Sequence, residues 1–246
     1  MIPAFKSSGF LLLAAQALGS IIPGKSSDGY PSYPSACPSC QKPSHCGNEG
    51  WDWAYYSNPL TNSGENYPGY RADAFKTKTP GYTSVTPVIG STAALGADSH
   101  IYNSSVTLSS TYFTLNQHAY LWACEAGTWQ FDISGVDDIV LAWVGGVAYS
   151  GWTDQNANGR AVWSFQGSTH TGSASFTSVL PADTFVPVRF VFGNGQAGGA
   201  FRVTITSPSG VIVHQTGRAA NNDWIVRYSC PFDPRAPRFP TFGQES

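Results

Sequence analysis

A repeated alternation of apolar and polar residues constrains this chain more than any other feature. In one segment Trp129, Phe131 and Ile133 lie on one face and polar residues on the other, and residues 186–192 and 201–205 repeat the pattern. Successive side chains of a strand point to opposite faces, so this period of two predicts strands with one buried side. No long segment repeats at the helical period.

The remaining patterns complete an all-β prediction. The run Ile139–Val144 is apolar at every position, which is typical of a strand covered on both faces. Residues 51–111 mix aromatic and turn residues without a sustained period, which predicts short strands and long loops. Many short strands separated by glycine-rich turns predict an antiparallel β-sandwich or barrel with long loops.

Composition excludes several classes of protein. Charged residues make up 11% of the chain and its formal net charge is −2, so no basic surface is expected for nucleic acid. No apolar run approaches the roughly 20 residues that a membrane-spanning helix needs. The four glutamates form no acid/base couple and no nucleophile elbow occurs. The sequence therefore predicts neither a nucleic-acid binder, nor a membrane-spanning protein, nor an enzyme.

The two ends of the chain differ from its middle. Residues 1–17 combine a basic start, an apolar core and a small-residue cleavage site, which predicts a signal peptide and a secreted, extracellular or cell-wall protein. Residues 18–46 read as a Ser/Pro-rich lead segment, and residues 233–246 as a disordered Pro-rich tail. Residues 47–232 between them are the predicted folded domain.

Two sequence motifs match known sites without the required context. Residues 19–26 fit the phosphate-loop pattern, but that loop needs a strand before it and a helix after it. Cys37, Cys40 and His45 begin like a zinc site, yet the fourth ligand is missing. In an oxidising compartment the five cysteines predict two disulfides and one free thiol, and spacing alone leaves the pairing open.

Two polar segments are candidates for binding a cation. Asp137 and Asp138 join two predicted strands, and adjacent carboxylates repel each other unless a cation lies between them. Asn194 lies in a Gly-rich loop that offers an amide oxygen and exposed carbonyls, a hard-oxygen set suited to calcium. The alternative for the aspartates is a solvated turn. Residues 154–159 match half of a calcium loop, and a polar turn is the simpler interpretation.

These segments resemble the GLEYA domain of fungal adhesins, which is related to flocculins, epithelial adhesins and the protective-antigen β-barrel domain. The resemblance extends over residues 47–230. Its motifs are Thr-Trp-Gln-Phe-Asp-Ile-Ser-Gly-Val-Asp-Asp-Ile at residues 128–139, Trp-Val-Gly at 143–145, Pro-Val-Arg-Phe-Val-Phe-Gly-Asn at 187–194 and Gly-Gly-Ala-Phe at 198–201.

The resemblance implies a protective-antigen-like fold and a calcium site. Asp137 and Asp138 would be joined by a cis peptide bond and would hold Ca2+ between their carboxylates. The side chain of Asn194 and the main-chain carbonyls of Gln196 and Gly198 would complete the protein ligands. Hydroxyls of a sugar would fill the remaining positions. Flocculins carry a bulky aromatic where this chain has Gly198, so the sugar specificity does not transfer.

Further roles follow from the same resemblance. Ala197 belongs to the loop that selects the glycan and is a candidate ligand contact together with Asp137, Asp138 and Asn194. Trp152 is a candidate for stacking on a sugar ring, with packing in the core as the alternative.

The resemblance also has an implication for the cysteines. Relatives join their chain termini, which implies a disulfide from Cys230 to Cys37, Cys40 or Cys46. Cys124 lies in an apolar run, where it is either buried or bridged.

We therefore expect a secreted, calcium-dependent, lectin-like adhesin domain whose partners are cell-surface glycans or oligosaccharides. The alternative is a secreted module in which calcium only braces two loops and no glycan binds.

Overall fold

A computed structural model describes residues 41, 43–91, 95, 98–166, 170–218 and 222–245. The predicted signal peptide, the phosphate-loop motif, most of the Ser/Pro-rich lead segment and Cys37 and Cys40 lie outside the described residues. Within these ranges no helix is long and apolar enough to cross a membrane.

Strands dominate the described backbone, with one short helix, α1, at Gly146–Tyr149 and 3-10 turns at Ala72–Phe75, Ile101–Asn103, Asp154–Asn156 and Asn222–Trp224. The strands are β1 Trp51–Ser57, β2 Tyr82–Thr86, β3 Asp98–Ser99, β4 Leu108–Ser109, β5 Phe113–Ala123, β6 Gly127–Asp137, β7 Ile139–Val144, β8 Gly159–Val162, β9 Gly172–Leu180, β10 Thr184–Asn194, β11 Ala200–Thr206, β12 Ile212–Gln215 and β13 Ile225–Val226.

Two antiparallel sheets carry the fold. The large sheet has the order β2-β1-β5-β10-β7-β8, with β13 also paired to β5. The second sheet has the order β12-β11-β6-β9, and β3 pairs with β4 as a small ribbon. Over the described ranges these sheets do not close on themselves, so the all-β prediction is confirmed in its sandwich form.

The main core lies between the two sheets. Trp129, Phe131 and Ile133 of β6 are fully buried there, as their alternation predicts. They share one apolar cluster with Val188 and Phe190 of β10. Such a cluster from two facing sheets is the usual core of a sandwich.

A second apolar cluster covers the other face of the large sheet. Val140 and Ala142 of β7 belong to the main core, whereas Leu141 and Trp143 belong to the second cluster. This two-sided burial explains why the run Ile139–Val144 is apolar throughout.

One disulfide closes the domain near its ends. Cys46 is bonded to Cys230, with Cα atoms 5.8 Å apart. The implied bond from Cys230 to one of three N-terminal cysteines is thereby confirmed. Cys124 is disulfide-bonded as well.

The C-terminal segment (residues 231–245) is packed, which corrects the expectation of a disordered tail. His118 on β5 is buried between the rings of Phe239, 4.0 Å away, and Phe242, 4.4 Å away. Pro237 and Pro240 flank Phe239 and lack the amide donors that a strand needs, so this part of the segment packs on the sheet without forming a strand.

An ion pair fixes the end of this segment. Arg189 of β10 is fully buried and donates from Nη2 to Oε1 of Glu245 at 2.6 Å and from Nη1 to Oδ1 of Asn116 at 2.6 Å. Burial raises the pKa of Glu245 despite the attraction of Arg189, and it lowers the pKa of Arg189. Desolvation therefore opposes the attraction within this pair, and each charge depends on the other because both are buried.

We expect Glu245→Ala to lower the free energy of unfolding by about 3–5 kcal/mol, because it leaves the buried Arg189 charge without a counterion. Urea denaturation followed by tryptophan fluorescence measures the change. The exposed neighbour Gln244 provides a matched control, and Gln244→Ala should change stability by less than about 0.5 kcal/mol. An equal effect of the two substitutions would contradict the role of the ion pair.

Candidate functional site

Strand register brings the two predicted ion-binding loops together. The aspartate pair (Asp137 and Asp138) lies between β6 and β7, and the Asn194 loop (residues 194–199) lies between β10 and β11. On β10 and β7, Gly193 pairs with Ile139, and on β11 and β6, Ala200 pairs with Asp137. Both ends of the Asn194 loop therefore start beside the aspartate pair.

Asp138 is held by donors from two segments. Its Oδ1 accepts a hydrogen bond from Nδ2 of Asn62 at 2.7 Å, and its Oδ2 accepts one from the amide of Gly195 at 2.7 Å. The residue is 4% exposed, and the peptide bond between the two aspartates is cis, as the resemblance implies. A carboxylate with both oxygens held in this way has one fixed orientation.

The side chain of Asn194 is also held in one orientation. Its Nδ2 donates to the carbonyls of Ser110 at 2.9 Å and Ala197 at 2.8 Å. Since both amide hydrogens are used, Oδ1 points the other way, where it is buried without a protein partner. Leaving an amide oxygen buried and unpaired is costly unless a ligand satisfies it.

The backbone at Gly199 passes close to this oxygen. A Cβ atom there would lie 2.8 Å from Oδ1 of Asn194 and in closer contact with the carbonyl oxygen of Asp137. Only glycine allows this approach, which sets the Asn194 side chain beside the main chain of the aspartate pair.

Negative charge is concentrated at the site. Burial, the charge of Asp138 and a hydrogen bond between the two side chains, in that order of size, together raise the pKa of Asp137 to about 7. Two buried carboxylates this close resist carrying two charges in the absence of a cation.

The residues present fit a calcium ion. They provide two carboxylates and the amide oxygen of Asn194, which is buried without a protein partner among the described residues. Calcium is coordinated by oxygen atoms of this kind, and the set contains no nitrogen or sulfur ligand that would favour a transition metal.

Two segments that the sequence analysis did not predict also contact the aspartate pair. Asn62 lies on the 58–70 segment (residues 58–70) after β1, and Trp163 follows β8 and donates its amide to the carbonyl of Asp138 at 2.6 Å. The ring of Trp163 is partly exposed and stacks on His170 with centroids 5.2 Å apart. A sequence signal existed only for Trp163, as an aromatic directly after a short strand.

Trp152 is placed in the core rather than at a ligand surface. The residue is fully buried, with the ring of Trp143 at 5.3 Å and the guanidinium of Arg189 at 4.7 Å. Its ring therefore has no face to offer a sugar, and packing is the role that the structure supports. Ala197, by contrast, is exposed.

The segment at residues 154–159 forms a polar turn. Oδ1 of Asp154 accepts the amide of Ala72 at 2.8 Å, and Oδ1 of Asn158 accepts the amide of Val144 at 2.8 Å. Protein donors therefore use one side-chain oxygen of each residue, as in the polar turn that the sequence favours.

Comparison with known families confirms the predicted resemblance. The family model described as the GLEYA domain matches residues 113–207. This range contains the aspartate pair and the whole Asn194 loop, and it excludes Asn62.

Two relatives are named as cell agglutination proteins of Schizosaccharomyces pombe. The protein pfl4 is 39% identical over 93 residues, which is 37% of this chain and 15% of that protein. The protein pfl8 is 37% identical over 81 residues, which is 33% of this chain and 20% of that protein. The matched segment thus spans no more than a fifth of either relative.

Solved structures share the fold. The A domain of epithelial adhesin 6 from Candida glabrata, in complex with Galβ1-3GlcNAc, superposes with a TM-score of 0.54 at 21% identity and covers 83% of this chain and 97% of that chain. The A domain of epithelial adhesin 9, in complex with the same disaccharide, gives 0.50 at 16% identity and covers 77% and 94%. The fold is that of the fungal adhesin A domains.

We expect Asp137 to contribute stability to the calcium-free protein that is lost as pH rises, which shows in the difference in unfolding free energy between the wild type and Asp137→Asn. The unfolded Asp137 side chain titrates near 3.8 and the folded one near 7, so between these values the folded state binds the extra proton. This contribution is complete below about pH 3.8 and is lost as pH rises through about 7, and solvent screening of this partly exposed group limits it to about 1–3 kcal/mol. Urea denaturation in EGTA at several pH values measures the difference.

Asp137→Asn removes this ionisation, so the stability of the wild type relative to Asp137→Asn should fall as pH rises. Asp132→Asn, a substitution at a surface position of the same strand, should differ from the wild type by an amount that does not change with pH. A difference between wild type and Asp137→Asn that is the same at every pH would contradict the role of Asp137.

Proposed function

We propose that this chain is a calcium-dependent, glycan-binding adhesin domain that acts outside the cell. The observation that carries the proposal is the oxygen cluster formed by the aspartate pair and Asn194, in which the amide Oδ1 of Asn194 is buried and unpaired. The names of the matched relatives and the sugar complexes of the structures with this fold support the same function.

Each residue of the site has a role in this proposal. The carboxylates of Asp137 and Asp138, Oδ1 of Asn194 and the carbonyls of Gln196 and Gly198 would hold Ca2+. When bound, the ion supplies coordination positions that the hydroxyls of a sugar can fill. Asp138 and Asn194 are fixed by hydrogen bonds before binding, so little conformational freedom is lost when they bind.

The ring of Trp163 is partly exposed, and its main chain lies beside the aspartate pair. Its amide is bonded to Asp138, so its position depends on the aspartate pair. An aromatic ring at this place suits the apolar face of a pyranose, and Ala197 lies exposed on the Asn194 loop.

The proposal is of a binding domain rather than an enzyme. The aspartates lie side by side in one cluster instead of facing each other across a bond to be cleaved. A single site of this kind binds weakly, so adhesion would depend on many copies presented on one surface.

A glycan array probed with the full chain tests this function. We expect binding in calcium that disappears in excess EGTA and in Asp138→Ala, which removes one of the two carboxylates. Asp132→Ala is the matched control, because Asp132 lies on the same strand with its carboxylate bonded to Gln130 and Ser175 at the surface. Silence on every glycan by folded protein that still binds calcium would favour the calcium-braced module instead.

We expect Trp163→Ala to separate glycan binding from ion binding. The substitution removes the ring and keeps the main-chain bond to Asp138, so calcium affinity measured by terbium competition should stay within about twofold. Affinity for the glycan found on the array should fall about two- to tenfold, since ring contacts of this kind contribute about 0.5–1.5 kcal/mol. Trp163→Phe should retain part of the affinity for the glycan. Wild-type glycan affinity in Trp163→Ala would show that the ring does not contact the glycan.

A further inference from the structure

The 58–70 segment contacts both loops of the proposed ion site through one residue. Nδ2 of Asn62 donates to Oδ1 of Asp138 at 2.7 Å. The main chain of Asn62 also pairs with the side-chain amide of Gln196: its N–H donates to Oε1 at 2.9 Å, and its carbonyl accepts from Nε2 at 2.8 Å. Asn62 is 1% exposed, so water does not compete for these bonds.

The approach of this segment to the Asn194 loop is close. A Cβ atom on Gly195 would lie 2.5 Å from the amide nitrogen of Asn62 and 2.8 Å from the hydroxyl of Tyr67. A side chain at position 195 would therefore push the two segments apart and break the bond from the Gly195 amide to Asp138.

The same segment also reaches the residues after β8. Oε1 of Glu65 accepts the amide of Phe165 at 2.7 Å, two residues beyond Trp163. All three stretches around the site, namely the aspartate pair, the Asn194 loop and the residues after β8, are bonded to the 58–70 segment.

We propose that Asn62 is a positioning residue of the ion site and that the side chain of Gln196 completes the same clamp. The inference rests on the proposed function. Asn62 fixes the rotation of the Asp138 carboxylate, and the paired Gln196 side chain fixes the loop position from which the Gln196 carbonyl would bind the ion. The ion site is thus a three-segment site, with one segment outside the range that the family model matches.

The hydrogen bond to Asp138 supports positioning as the role of Asn62. A carboxylate oxygen only accepts hydrogen bonds, so the nitrogen of the Asn62 amide faces Asp138 and Oδ1 is directed away from that oxygen. Oδ1 is buried without a hydrogen-bond partner, so direct coordination is the competing role, and the count of bound waters separates the two. Residues that hold metal ligands in this manner typically change metal affinity 10- to 100-fold when replaced.

Lanthanide luminescence on the full chain tests the inference. Terbium titration gives the affinity, calcium competition verifies the site, and europium lifetimes in H2O and D2O count the water molecules on the ion. We expect Asn62→Ala and Gln196→Ala each to weaken binding about tenfold or more. The number of bound waters should stay that of the wild type, since neither substitution removes an ion ligand. Thr61→Ala, at an exposed neighbour, is the matched control and should bind like the wild type.

The double variant Asn62→Ala/Gln196→Ala should lose less affinity than the product of the two single losses, because both bonds serve one clamp. Near-UV circular dichroism verifies that each variant is folded. One additional bound water in Asn62→Ala would overturn the inference in favour of direct coordination, and wild-type affinity in that variant would overturn it outright. Absence of lanthanide and calcium binding to the wild type would instead refute the proposed function, and the inference with it.

Discussion

The pairing of β10 with β7 is the constraint on which the candidate site depends. Gly193 of β10 lies opposite Ile139 of β7. The next residue of β10, Asn194, and the residue before β7, Asp138, therefore meet at the same end of the sheet. β8 pairs with the other side of β7, with Val162 opposite Ile139, and this register places Trp163 beside Asp138. A shift by one residue would exchange the larger Leu141 and Trp143 with the smaller Val140 and Ala142 between the two apolar clusters, so the packing of β7 on both faces indirectly fixes the positions of the site residues.

Because the large sheet is covered on both faces, polar side chains on its second face are removed from water and need partners within the protein. The second face carries His118 and Arg189, two residues that a one-sided sandwich would expose to water. Here the C-terminal segment covers them, and burial lowers the pKa of His118, assisted by the charge of Arg189, so the imidazole stays neutral between its two aromatic neighbours. The buried charge of Arg189 then requires a buried carboxylate, which Glu245 supplies.

The main strands and two of the three segments at the candidate site, the aspartate pair and the Asn194 loop, could be predicted from the sequence. The alternation of apolar and polar residues in β6 and the uninterrupted apolar run in β7 indicate directly which side chains are buried, because both patterns lie within one strand. The aspartate pair was visible because two adjacent carboxylates are unusual between strong strands. Asn62 could not be predicted, since its role depends on a contact with Asp138 across 76 positions of the chain and no local pattern marks it. Trp152 and Trp163 look alike in sequence, and only the packing of the second cluster shows that the first is buried and the second partly exposed.

The same contacts limit where the Asn194 loop can vary. Gly195 and Gly199 are fixed by the close approach of Asn62 and Asp137, and Asn194 is fixed by its two carbonyl partners. The side chain of Gln196 is occupied by the main chain of Asn62. Ala197 is the exposed side chain that remains, and it carries no polar group. If the proposed site binds a glycan, the loop therefore offers oxygens held in place and few side-chain contacts, and discrimination between ligands would fall to the residues that surround it.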